Sequence, residues 1–235
     1  MFAGTHTAIV TPFKNGQVDE AALKRLVDFQ FDNGVSGVVP CGTTGESPTL
    51  DHEEHTRVVK LTAEFARGRG VVMAGTGSNS TREAVELTQE AEAAGATAIL
   101  QVAPYYNKPT PEGLYQHFKA VAESTKLPIM LYSIPGRCGI EIGLDVLVRL
   151  AESCPNIRAI KEVCDQMEKD GVQIAAAEVV RRCGPDGPAY STVCNTGSKL
   201  GEYIRLRVDE QRAALRHRDR RDRRQVDAPL HQPQR

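Results

Sequence analysis

The chain has 235 residues, 40% of them hydrophobic and 25% charged, with a net charge of −1. That length suffices for one large domain or two small ones with a sizeable buried core, and the near-neutral balance excludes a molecule-wide polyelectrolyte built for nucleic acid. Cys41, Cys138, Cys154, Cys164, Cys183 and Cys194 form no Cys-x-x-Cys pair, and neither a basic-then-apolar leader nor a membrane-length apolar run is present, so no metal, reduced thiols, a cytoplasmic location and no membrane contact are expected.

Short apolar runs alternate with amphipathic stretches from residue 4 to residue 163. Thr7-Ala8-Ile9-Val10 is a predicted strand. Ala21 to Asn33 is a predicted helix, with Leu23, Leu26, Val27 and Phe31 at helical spacing and Gly34 as its stop. Gly37 to Pro40 is the second strand. A helix over Asp51 to Ala66 follows, with Asp51 as N-cap and Glu54 completing a capping box. Val71 to Ala74 is the third strand, and the next helix runs from Ser80 to Ala94 with Gly95 behind it. Ala98 to Val102 is the fourth strand, Thr110 or Pro111 to Ser124 a helix, Pro128 to Tyr132 the fifth strand. Leu144 to Ser153 is a short helix and Ile157 to Lys161 the sixth strand.

Six strand–helix units in succession predict a parallel sheet covered by helices. No Gly-x-Gly-x-x-Gly follows the first strand, which disfavours a dinucleotide fold. The polar clusters fall after strand ends: Thr43-Thr44-Gly45-Glu46-Ser47, Tyr105-Tyr106-Asn107, Tyr132, Arg137 and Lys161. In a β/α barrel that face is where active sites are built. Lys161 stands out among them. Burial at the end of an apolar strand would disfavour its ammonium form and leave an amine able to attack a carbonyl. Taken by itself, the residue is more readily read as a strand-end lysine that snorkels to water.

The pattern breaks after Glu162. Residues 1–165 carry 15 basic and 20 acidic side chains, whereas 166–235 carry 14 and 10, twelve of the 14 being arginine. Gly171 to Cys183 could form one helix. Val193-Cys194-Asn195 and Tyr203-Ile204 are weak candidates for two further strands, and Arg205 to Arg235 is nearly all charge, as in a disordered segment or exposed helix. Two regions are therefore expected: barrel units 1–6 over residues 1–163, and an atypical basic segment over 164–235. The break reads as a truncation or shifted reading frame that leaves strands 1 and 6 as bare edges. An arginine-rich nucleic-acid arm is disfavoured, because Asp residues interrupt the run and no aromatics interleave it.

Residues 4–163 resemble the dihydrodipicolinate synthase / N-acetylneuraminate lyase family. The resemblance rests on Gly42-Thr43-Thr44-Gly45-Glu46-Ser47, Pro104-Tyr105-Tyr106-Asn107-Lys108-Pro109, Tyr132-Ser133-Ile134-Pro135-Gly136-Arg137 and Ile160-Lys161-Glu162, in this order. It implies an α/β fold, a (β/α)8 TIM barrel in which strands 7 and 8 and the C-terminal helical region are not recognisable. It also implies a class I aldolase-type lyase in the lysine/diaminopimelate route, with no cofactor beyond a covalent pyruvate imine on Lys161. Thr43 and Thr44 would hold the pyruvate carboxylate. Tyr132 would shuttle protons, with Thr44 and Tyr106 as relay partners. Arg137 would hold the carboxylate of the second substrate, L-aspartate-4-semialdehyde; Thr44 with Arg137 favours the synthase branch over the sialic-acid lyases. His52, His55, Asn79, Glu83 and Tyr105 match a feedback site for L-lysine. Tyr106 comes from a neighbouring subunit in the family, which implies a homo-oligomer, a dimer or tetramer. Another pyruvate aldolase acting on a sugar acid, or an inactive family member, are the other readings.

Overall fold

The computed structural model describes residues 2–164, 189–194 and 204–206, and the side chains of residues 2–162. The expected alternation is present: β1 (Gly4–Ala8), α1 (Glu20–Asp32), β4 (Gly37–Val39), α2 (His52–Ala66), β5 (Val71–Gly75), α3 (Thr81–Ala93), β6 (Ala98–Val102), α4 (Pro111–Glu123), β7 (Ile129–Ser133), a single turn α5 (Pro135–Cys138), α6 (Leu144–Ser153) and β8 (Ile157–Cys164). Between β1 and α1 lies a small hairpin, β2 (Phe13–Lys14) and β3 (Gln17–Val18). Its turn, Asn15-Gly16, has positive φ at both residues, 54° and 76°, as a two-residue hairpin turn requires. The reading of strands from apolar runs passed over this polar hairpin.

Helix boundaries follow local chemistry. Asp51 accepts from the Glu54 N–H while the Glu54 carboxylate accepts from the Asp51 N–H, a complete capping box on α2. Asp19, Ser80 and Thr110 cap α1, α3 and α4 in the same way with one side-chain oxygen each.

The strands β1, β4, β5, β6, β7 and β8 pair in parallel, each with its successor. Covering both faces explains why they read as unbroken apolar runs. The register sets Val102, Tyr132 and Lys161 side by side, with Leu100, Met130 and Ala159 one layer below. Side chains alternate along a strand, so these residues share the face away from the helices. Ile99, Leu131 and Ile160 take the other face and are buried.

The expectation of bare edges is corrected. β9 (Ala189–Cys194) pairs parallel to β8, and β10 (Ile204–Leu206) pairs antiparallel to β1. Val193 and Cys194 of the first candidate end β9, and Ile204 of the second begins β10; Asn195 and Tyr203 lie outside the described residues. Seven strands thus follow the parallel order of a β/α barrel, and the eighth position is taken by an antiparallel strand. The physical reason is that exposed N–H and C=O rows on β1 and β8 recruit whatever extended segment can reach them. The proposed helix over 171–183 and most of the arginine-rich run lie outside the described residues.

Candidate active site

The C-terminal ends of the parallel strands carry the chemistry. The Lys161 ammonium sits 4.3 Å from the centre of the Tyr132 ring, a contact that follows from their being register partners on β8 and β7. Burial, reinforced by the Arg137 guanidinium, lowers the Lys161 pKa to about 8. Tyr132 is buried, and desolvation raises its phenol above the usual range; Arg137 and a hydrogen bond from the Thr43 side chain pull it partly back. Arg137 itself is exposed, on the one-turn helix α5 that directly follows β7.

The Gly42–Ser47 turn folds on itself. Gly45 N donates to Gly42 O at 3.0 Å, Glu46 N to Thr43 O at 3.2 Å and Ser47 N to Gly42 O at 3.3 Å. Among the described residues the N–H groups of Thr43 and Thr44 have no backbone acceptor, so two consecutive donors remain for a small anion. The structure brings Thr43 to Tyr132. Both threonines are exposed, and of the two only Thr43 lines the adjoining cavity.

A cavity of about 400 Å³ adjoins this cluster and is lined by the strand-end residues Gly75, Val102 and Tyr132. Thr43, Tyr132, Arg137 and Cys138 line one part of it; His52, His55, Ser78, Glu83 and Tyr105 line the other. Glu83 accepts from the Ser78 hydroxyl and from His52 Nε2 at 3.1 Å, and these two partners hold its carboxyl below the usual range. The two histidines of α2 differ in burial although both line the cavity. His52 is exposed, whereas His55 is buried with Nε2 at 2.8 Å from the Gly75 carbonyl. Burial lowers the His55 pKa, so the ring is neutral at pH 7 and donates through Nε2. Asn79 stands beside the cavity, its amide donating to Tyr105 O at 3.1 Å, while the Asn107 amide donates to Asn79 O at 3.0 Å. Tyr106 projects outward, 89% exposed, with φ at 75°.

Ser78 and Cys138, two residues of the cavity wall, lie outside the motifs. Ser78 gives no signal beyond lying near a helix cap. Cys138 was visible only as a cysteine, although it is a wall of the cavity. Glu162, beside Lys161 in sequence, is buried, and desolvation together with Glu141 raises its pKa to about 7. Among the described residues no group of three His, Cys, Asp or Glu side chains is placed to hold a metal ion, and no helix is long and apolar enough to cross a membrane.

The dihydrodipicolinate synthetase family model matches residues 1–193. The chain belongs to that family. The match continues past the last motif at Glu162 and through nearly all of β9. The chain is 54% identical over 183 residues to the 4-hydroxy-tetrahydrodipicolinate synthase of Syntrophus aciditrophicus (strain SB), covering 78% of this chain and 60% of that protein. The solved 4-hydroxy-tetrahydrodipicolinate synthase of Methylacidiphilum fumariolicum SolV superposes with a TM-score of 0.75 at 48% identity, over 83% of this chain and 62% of that one. The chloride-inhibited dihydrodipicolinate synthase of Acinetobacter baumannii, solved with pyruvate, gives 0.75 at 44% identity, over 82% of this chain and 64% of that one. The chain thus spans about three fifths of the length of these family members.

Proposed function

We propose that the chain acts as a 4-hydroxy-tetrahydrodipicolinate synthase, condensing pyruvate with L-aspartate-4-semialdehyde through a Schiff base on Lys161. The observation that carries this reading is the Lys161 amine, with a pKa of about 8, stacked on Tyr132 at the strand ends. At pH 7 about a tenth of such an amine is neutral, against a few parts in ten thousand for an ordinary lysine.

The neutral amine attacks the keto carbon of pyruvate, and the keto oxygen takes up a proton from the Tyr132 phenol. Loss of that oxygen as water leaves an imine, which sheds a methyl proton to become an enamine. The enamine carbon attacks the aldehyde of the second substrate, whose amine can then displace Lys161 from the imine carbon. The protonated imine is the electron sink, so the chemistry asks for no other cofactor. The free N–H groups of Thr43 and Thr44 hold the pyruvate carboxylate. Thr43, which touches Tyr132, is the inner relay group in place of Thr44. Arg137, on the cavity wall, takes the second carboxylate through a charge-assisted pair.

The exposure of Tyr106 supports its reaching the site of a second copy, which makes the working unit at least a dimer. The far part of the cavity is assigned to L-lysine as a feedback ligand. An ionised Glu83 receives the α-amino group there, and His52, His55, Asn79 and Tyr105 surround the remainder.

Incubation with both substrates, followed by mass spectrometry of the cyclic product, tests the reading. Product is expected from the native chain and none from K161A. A pyruvyl adduct on Lys161 without product would reduce the reading to a family member that binds pyruvate without turnover. Product from a sugar-acid aldehyde in place of the semialdehyde would move it to another pyruvate aldolase.

A further inference from the structure

Thr11 lies just beyond the end of β1 and belongs to none of the motifs above. It is 4% exposed, and its hydroxyl donates to the Gly45 carbonyl at 2.7 Å across 34 residues of sequence. That carbonyl belongs to the turn whose other end offers the Thr43 and Thr44 N–H groups. The turn's other backbone bonds are internal or made to Thr49 and Leu50, which follow it closely. Gly45 also packs tightly beneath: a Cβ there would meet Cys41 N at 3.0 Å and Ile9 O at 3.1 Å. The loop after β1 therefore grips the turn from below by one hydrogen bond and one close backbone approach.

We infer that Thr11 is a positioning residue for the anion-binding turn: its hydroxyl, by holding the Gly45 carbonyl inward, aims the Thr43 and Thr44 N–H groups at the substrate carboxylate. This rests on the proposed role of that turn. A valine at this position keeps the shape but removes the donor, and the Gly45 carbonyl then has to turn toward water to find a partner. A serine keeps the donor. The consequence is selective for ligands that carry a carboxylate, because Lys161 stands on a different strand and does not touch Thr11.

The test compares borohydride trapping of pyruvate and of acetaldehyde, which has the carbonyl without the carboxylate, in the native chain, T11V, T11S and G45A, with adducts mapped to Lys161. In T11V the pyruvate concentration for half-maximal trapping is expected to rise about tenfold, with acetaldehyde trapping changed by less than about twofold and T11S close to native. G45A forces the turn away from Ile9 and Cys41 and should show the same selectivity, which keeps the test available if T11V folds poorly. Equal losses for both carbonyl compounds, no loss in T11V, or T11S behaving like T11V would overturn the inference. If the native chain gives no Lys161 adduct with either compound, the Schiff-base reading fails by itself. The amide exchange rates of Gly45, Glu46 and Ser47 then decide the role of Thr11. Faster exchange in T11V than in the native chain and T11S supports it, and equal rates overturn it.

Discussion

At one part of the cavity stands Tyr132, with Lys161 against its ring but outside the lining, and burial moves both pKa values toward the neutral forms. At the other, Glu83 remains partly exposed and is kept charged by hydrogen bonds from Ser78 and His52. Tyr132 and Glu83 line one volume, yet the two regions treat charge in opposite ways. Desolvation that outweighs its partners suits a nucleophile and a proton carrier; exposure with partners yields a fixed charge suited to binding. His55 shows the same contrast within a single helix. One turn from the exposed His52, it is buried and neutral, and it binds backbone rather than ligand charge.

The largest effect that could break this contrast is expected from Y132F, which keeps the ring beside Lys161 and removes the proton carrier. Pyruvate trapping at Lys161 should slow by about 10²- to 10³-fold in single-turnover measurements. A rate within threefold of native would remove Tyr132 from the chemistry.

Glu162 extends the burial rule to an acid. Its pKa is raised from 4.5 to about 7 in the folded chain, so the folded state holds a proton that the unfolded state releases. Stability from this group is therefore present below pH 4.5, falls as the pH rises toward 7, and is lost above it. The span corresponds to on the order of 3 kcal/mol. E162Q should flatten the slope of urea midpoint against pH between those limits; an unchanged slope would show that Glu162 is already ionised.

On the charged side, E83Q should weaken L-lysine binding about tenfold by calorimetry, because the ammonium loses an ionised partner and gains a neutral one. The smallest change is expected from R137M. Removing the guanidinium takes away the lesser of the two causes that depress Lys161, so the midpoint of the pH dependence of trapping should move up from about 8 by less than about one unit. A downward move would contradict the sign of the Arg137 effect.

Much of the fold was legible because its signals are local. The Asp51/Glu54 box, the caps at Ser80 and Thr110 and the apolar strand runs each lie within a few residues. Elements that rest on long-range pairing were not legible: β10 runs antiparallel to β1 from 198 positions along the chain, and no local pattern states that direction. The site divides in the same way. Lys161 and Tyr132 were readable from motif order, and the register then explains their contact. Which of Thr43 and Thr44 meets the phenol, which histidine turns inward, and what Thr11 grips depend on the turn's three-dimensional path. Neighbouring threonines and histidines are chemically identical in a sequence; the contact to Tyr132 distinguishes the threonines and burial the histidines.

The central claim is that burial has made Lys161 an amine reactive toward pyruvate. Borohydride trapping across pH, read by intact mass and peptide mapping, tests it most directly. The account predicts a single pyruvyl adduct on Lys161, with a rate that rises through a midpoint near pH 8. Adducts spread over surface lysines, or a Lys161 rate still rising beyond pH 10 like that of an ordinary lysine, would contradict it.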